Sequence, residues 1–131
     1  MTPRTALRVA RPTGRLADLV RFYTEGLGLT RLDAFSDHDG FDGVMLGTPG
    51  SLYHLEFTHQ RGHDAGRAPT QDHLLVFYLP DAAEWQSAVN RMVSAGYPPV
   101  DPINPYWAHD GVTFEVPDGY RVVLQHDAWR A

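Results

Sequence analysis

QDHLLVFYLPDAAEW, residues 71–85, decides how the rest of the chain is read, because just past the midpoint it starts a second structural unit. His73, Leu75 and Phe77 alternate with Leu74, Val76 and Tyr78, the period of a strand with two distinct faces. Asp81, followed by Glu84, has the form of a capping box in which the carboxylate accepts the orphan backbone N–H groups of a new helix. Trp85, Ala88, Val89 and Met92 then fall on one stripe, and Gly96 supplies the left-handed residue that ends it.

Working outward, the same order appears before this stretch. Residues 5–11, TALRVAR, predict a short strand stopped by Pro12, and Leu16, Leu19, Val20, Tyr23 and Leu27 mark a buried helical stripe closed by Gly26 and Gly28. Residues 29–35 and 41–46 read as strands around a polar loop, Thr48-Pro49-Gly50-Ser51 as a type II turn, and 52–59 as the return strand. Beyond the second helix, 99–101 is a short strand, 103–110 an aromatic loop, and 111–116 with 120–126 a hairpin around Pro117-Asp118-Gly119. Each half is therefore strand, helix, strand, strand, strand. The expected class is α+β, with module one at about residues 5–60, a Gly-rich polar linker at 61–70 and module two at about 71–127. Arg8 to His73 spans 65 positions, Pro49 to Pro117 68 and Glu56 to Val123 67. A half of this size has a marginal core alone, so the two are expected to pack side by side in one domain.

Composition removes whole classes of function. A net charge of -5, with 16 acidic residues against 11 Arg and no Lys, offers no basic stripe to a nucleic acid. The absence of Cys removes disulfides, thiolate metal sites and Cys nucleophiles. No apolar run suits a signal peptide or membrane span, and a cytoplasmic protein is expected. No GxSxG elbow, P-loop or dinucleotide fingerprint is present, and Ser51 and Ser87 lack a local activating arrangement.

The duplicated module, the phrase LVRFYTEGLGL, the DHLLVFYLPD restart and the closing TFEVPDGYRVVLQ together resemble the vicinal oxygen chelate superfamily of glyoxalases, bleomycin-resistance proteins and extradiol dioxygenases. The aromatic NPYW segment is similar to a small glyoxalase-like branch of it. The resemblance implies a homodimer, and modules that curl into a cup with metal ligands, usually His, Gln or Glu, on the first and last strands of each. Those positions fall on Arg8, Glu56, His73 and Val123. Arg has no lone pair to offer and Val no donor atom, whereas catalytic sites typically use about three protein ligands. His54 and Gln125 share strand faces with Glu56 and Val123, so His54, Glu56, His73 and Gln125 form a conceivable set, displaced by about 7 Å from the family pattern. Alternatively, the Arg8 guanidinium replaces the ion and pairs with Glu56; the bland reading leaves both on a solvated face and His73 as a structural residue.

Around these positions Phe77 shares the His73 face, Arg121 the Val123 face, and Tyr106 and Trp107 lie in the loop expected at the rim. Aromatic and Arg groups together suit a planar or anionic small molecule. Tyr53, Leu55 and Phe57 alternate away from the cup as core, and the remaining His residues have no ligand spacing. The leading expectation is a protein that binds a small organic molecule in a metal-free cup. One alternative is a lyase, isomerase or dioxygenase with one divalent ion on Glu56 and His73. Another is a metal-free enzyme in which these two do acid and base work while Arg8 stabilises negative charge.

Overall fold

The computed structural model describes residues 1–130. The first module runs β1 (Leu7–Pro12), α1 (Leu16–Arg21), β2 (Thr30–His38), β3 (Phe41–Gly47) and β4 (Tyr53–Gln60); the second runs β5 (Leu74–Tyr78), α2 (Ala82–Ser94), β6 (Pro99–Val100), β7 (Gly111–Glu115) and β8 (Arg121–Gln125). Each module forms a four-stranded mixed sheet, ordered β1-β4-β3-β2 and β5-β8-β7-β6, in which the first and last strands are parallel neighbours. β1 and β5 are therefore both edge strands with one unpaired side. Pro12 belongs to β1 instead of stopping it, because at an edge its missing N–H can face away from β4 while the next residue, Thr13, donates to Thr58 O at 2.8 Å.

The restart at Asp81 behaves as its residue types dictate. Asp81 Oδ2 accepts from Glu84 N at 2.8 Å, a cap worth about 1 kcal/mol, and Gly96 at φ 96 lets Tyr97 N close on Met92 O at 3.0 Å. The first helix departs from the even stripe expected of it. After Arg21 it widens into a π-helical turn, Phe22–Gly26, where Leu27 N reaches back five residues to Phe22 O at 3.0 Å. The widened turn buries the adjacent rings of Phe22 and Tyr23 together, packed edge to face with centroids 5.1 Å apart.

A single core joins the modules. Leu19, Phe22, Tyr23, Val44, Leu46, Leu55 and Phe57 of the first pack with Met92, Phe114, Val116, Val122 and Leu124 of the second. Full burial of each large apolar side chain stabilises by about 1.5–3 kcal/mol. α1 lies on β3 and β4, α2 lies on β8, and α2 touches the π-helical turn. Gly26 permits that approach, since a Cβ there would stand 2.9 Å from Met92 Sδ and 3.2 Å from the Tyr97 ring. The helix-bearing faces of the sheets are thus turned toward each other, and the opposite faces look outward, away from each other.

The linker is docked on the second module. Arg67 Nη1 and Arg15 Nη1 both donate to Pro117 O, at 3.1 and 3.3 Å, and Ala68 N donates to Asp118 O at 2.8 Å. The Arg11 guanidinium sits 4.1 Å above the Tyr120 ring. Burial pushes the Tyr23 hydroxyl and the Asp118 carboxyl upward in pKa, and Asp118 is only 2% exposed. A carboxyl raised on folding contributes stability that is complete below its unfolded pKa and lost as pH rises through the folded value. Asp118→Asn, which keeps the acceptor for Tyr120 N, is therefore expected to raise the melting temperature at pH 7, with the gain vanishing below the ordinary carboxylate range. Melts of both proteins from pH 3.5 to 8 check the sign; a gain that is larger in acid would refute it.

Candidate functional site

On the outward face of the first sheet, Arg8 stands opposite His54 on β4 and Ala10 opposite Glu56. The Arg8 side chain spans both: Nε donates to His54 Nε2 at 2.8 Å, and Nη1 lies 3.2 Å from Glu56 Oε2. The first bond requires a neutral His54 with its lone pair on Nε2. Arg8 is half exposed whereas the Glu56 side chain is 14% exposed, so the carboxylate is the screened partner and the guanidinium the reachable one. Leu55 and Phe57 turn the other way into the core, as their alternation requires.

The second sheet is one residue out of the expected register. Leu74 pairs with Arg121, Val76 with Val123 and Tyr78 with Gln125, so the structural counterpart of Arg8 is Leu74 and not His73. Leu75 and Phe77 pack against the shared core. His73 precedes β5, is exposed, and sets its ring 5.8 Å from Tyr120 on that same side. His73 and Phe77 are therefore corrected from cup residues to residues on the helix-bearing side. The physical reason is the period of two, by which a single-residue slip exchanges the faces.

Arg121, Val123 and Gln125 do share the outward face, but they are 6%, 0% and 3% exposed. They are covered by their own chain. The segment between β6 and β7 folds back over them as a short 3-10 turn, Pro105–Ala108, begun by Asn104 Oδ1 accepting from Tyr106 N at 3.0 Å. Arg121 Nη1 donates to Asp101 O at 2.9 Å, and Arg121 Nε lies 3.4 Å from Glu115 Oε1. Trp107, expected at a rim, is half-buried over this sheet, while Tyr106 is 60% exposed on the outside. Residue-type reasoning missed Thr113, Glu115 and the Asp101 carbonyl. Counting outward from the Pro117-Asp118-Gly119 turn would have placed Glu115 opposite Arg121.

These positions do not fit a divalent ion. With the register corrected, the four family positions are Arg8, Glu56, Leu74 and Val123; Glu56 alone carries a ligating atom, and it is bonded to Arg8. The wider set is split, with His54 and Glu56 on one sheet, Gln125 on the outward face of the other and His73 on its opposite side. Among the described residues no three His, Cys, Asp or Glu side chains converge. No helix among them is long and apolar enough to cross a membrane. An apolar groove of about 530 Å³ opens between the modules, where Leu7, Val9, Tyr53 and Leu55 face Phe77 and Leu124. Tyr53 and Phe77 approach there to 6.2 Å between ring centroids.

Two mixed sheets, each built on the same strand-helix-three-strand plan, make this a glyoxalase-like protein of the vicinal oxygen chelate superfamily. The fold is shared with the trypanothione-dependent glyoxalase I of Leishmania major (TM-score 0.71, 22% identity, 92% of this chain and 85% of that one). It is also shared with TnmS3, an antibiotic binding protein from Streptomyces sp. CB03234 (TM-score 0.67, 18% identity, 95% and 97% coverage). More narrowly, residues 7–58 match the YycE-like N-terminal domain and residues 72–126 the YycE-like C-terminal domain, and the chain belongs to that family. Protein YycE of Bacillus subtilis (strain 168) is 48% identical over 120 residues, covering 92% of this chain and 86% of YycE. The crystal structure of Bacillus subtilis YycE, a protein of unknown function, superposes with a TM-score of 0.89 at 45% identity, over 98% of this chain and 93% of that one.

Proposed function

We propose that this protein binds a small aromatic or anionic organic molecule in a metal-free cup whose polar floor is Arg8, His54 and Glu56, and that a second copy of the chain closes the cup. The observation carrying the reading is the Arg8 side chain, which holds both potential ligand residues at 2.8 and 3.2 Å and keeps its second terminal nitrogen, Nη2, out of those two bonds. A half-exposed guanidinium so braced can receive a carboxylate or stack on an aromatic face. A binding role is in keeping with TnmS3, an antibiotic binding protein on this fold. Closure by a second copy is supported by the divergence of the two outward faces within one chain. It is also supported by the unpaired edges of β1 and β5, on which Leu7 and Tyr78 are 59% and 39% exposed.

The test uses tag-free, chelator-treated protein. Sedimentation is expected to show a dimer, and titration with Zn, Ni, Mn and Fe(II) to show no ion uptake beyond that of a Glu56→Ala control. Aromatic carboxylates such as benzoate and salicylate are expected to bind about tenfold or more weakly to Arg8→Ala than to the parent protein. A stoichiometric ion that disappears in Glu56→Ala would overturn the reading and move the protein to metal-dependent lyase, isomerase or dioxygenase chemistry. A monomer in solution would overturn the closure by a second copy.

A further inference from the structure

Independently of how the cup is closed, we propose that the space between the second sheet and the Pro102–Trp107 segment is a separate binding site for a small monocarboxylate, held by Arg121 and Thr113. The cavity, partly open to solvent, is about 150 Å³ and is lined by Arg121, Thr113, Trp107, Leu74, Ile103 and Asp72. A cavity of that size accommodates about a benzene-sized molecule, so the ligand has roughly six non-hydrogen atoms or fewer.

Two buried polar groups fix its chemistry. Arg121 is 6% exposed, and its only carboxylate partner among the described residues, Glu115, is 3.4 Å away, beyond the roughly 2.7–2.9 Å of a strong charge-assisted bond. With Nε directed to Glu115 and Nη1 to Asp101 O, Nη2 takes part in neither bond. Thr113 is 2% exposed, and its hydroxyl has no hydrogen-bond partner. Thr113 is opposite Val123 on the sheet and so diagonal to Arg121 on the same face, with Cβ atoms about 7 Å apart. A buried cation with a long ion pair beside an unsatisfied hydroxyl donor is an unfinished arrangement, and a carboxylate completes both: one oxygen accepts from Arg121 Nη2, the other from Thr113 Oγ1. Leu74, Ile103 and the Trp107 ring leave an apolar slot for a short carbon chain. The exposed Asp72 carboxylate opposes an anion there, an effect that salt screens.

The experiment titrates propionate and pyruvate, with propionamide as the neutral isostere, into the full chain while amide and indole resonances of Thr113 and Trp107 are followed. Saturable shifts with a Kd near about 1 mM, absent with propionamide, are expected. Thr113→Val is isosteric and removes a hydroxyl that is unsatisfied in the free protein. It is expected to leave the melting temperature unchanged or higher while weakening propionate about tenfold. Asp72→Asn is expected to tighten binding. Absence of saturation, equal binding of propionamide, or a Thr113→Val protein that melts normally and binds as before would each overturn the proposal. Because no metal, Arg8 or dimer enters this measurement, its failure is distinct from failure of the cup.

Discussion

Phe57→Ala is expected to lose about 3–5 kcal/mol of folding stability. Phe57 is 2% exposed on β4 and stacks on Tyr23, with centroids 4.9 Å apart and planes at 25°. It also pairs with Val44 across β3. Truncation removes the transfer free energy of the ring and leaves a cavity that two sheets and a π-helical turn cannot collapse to fill. Against the about 5–15 kcal/mol typical of a whole domain, such a loss takes about a fifth or more of the total. Urea unfolding should show a lower midpoint with an unchanged slope. A loss below about 1 kcal/mol would show that the shared core tolerates a void where packing says it cannot.

Gly111→Ala should follow with about 1–3 kcal/mol, for a different reason. The backbone here has no left-handed residue to protect, and the cost is space. A Cβ would stand 2.6 Å from the Trp107 carbonyl oxygen and 2.5 Å from Gln125 Oε1. Because one of those atoms is backbone, the Pro105–Ala108 turn must lift from the sheet. The expected signature is therefore a stability loss together with increased acrylamide quenching of Trp fluorescence, absent when Trp107→Phe is made in the same background. Stability loss without any change at Trp107 would mean that the clash is relieved through Gln125 alone.

Much of the architecture is carried by signals local enough to survive in the chain alone. Asp81 and Glu84 make a helix start wherever they are placed before an apolar stripe, Gly50 makes the turn in which Ser51 N meets Thr48 O at 3.0 Å, and Tyr53, Leu55 and Phe57 alternate as half-buried strand residues must. The pairing of Arg8 with Glu56 was legible for the same reason, since both lie inside strands whose outward faces follow from one unbroken alternation.

His73 was not legible, because a residue at the mouth of a strand takes its face from the hydrogen bonds of its neighbour. Arg121 N donates to His73 O at 3.2 Å, a contact 48 positions away in the chain that sets Leu74, not His73, opposite Arg121. The cover over Arg121, Val123 and Gln125 is likewise non-local, as nothing in NPYW by itself says which surface it will lie on. The sequence by itself determined two repeated modules, their caps and turns, a core stripe on each helix and one polar trio on the first sheet. Tertiary structure alone decided the register of β5, the burial of the second module's polar face and the outward divergence of the two faces, because each depends on free energy shared between segments that chain order does not bring together.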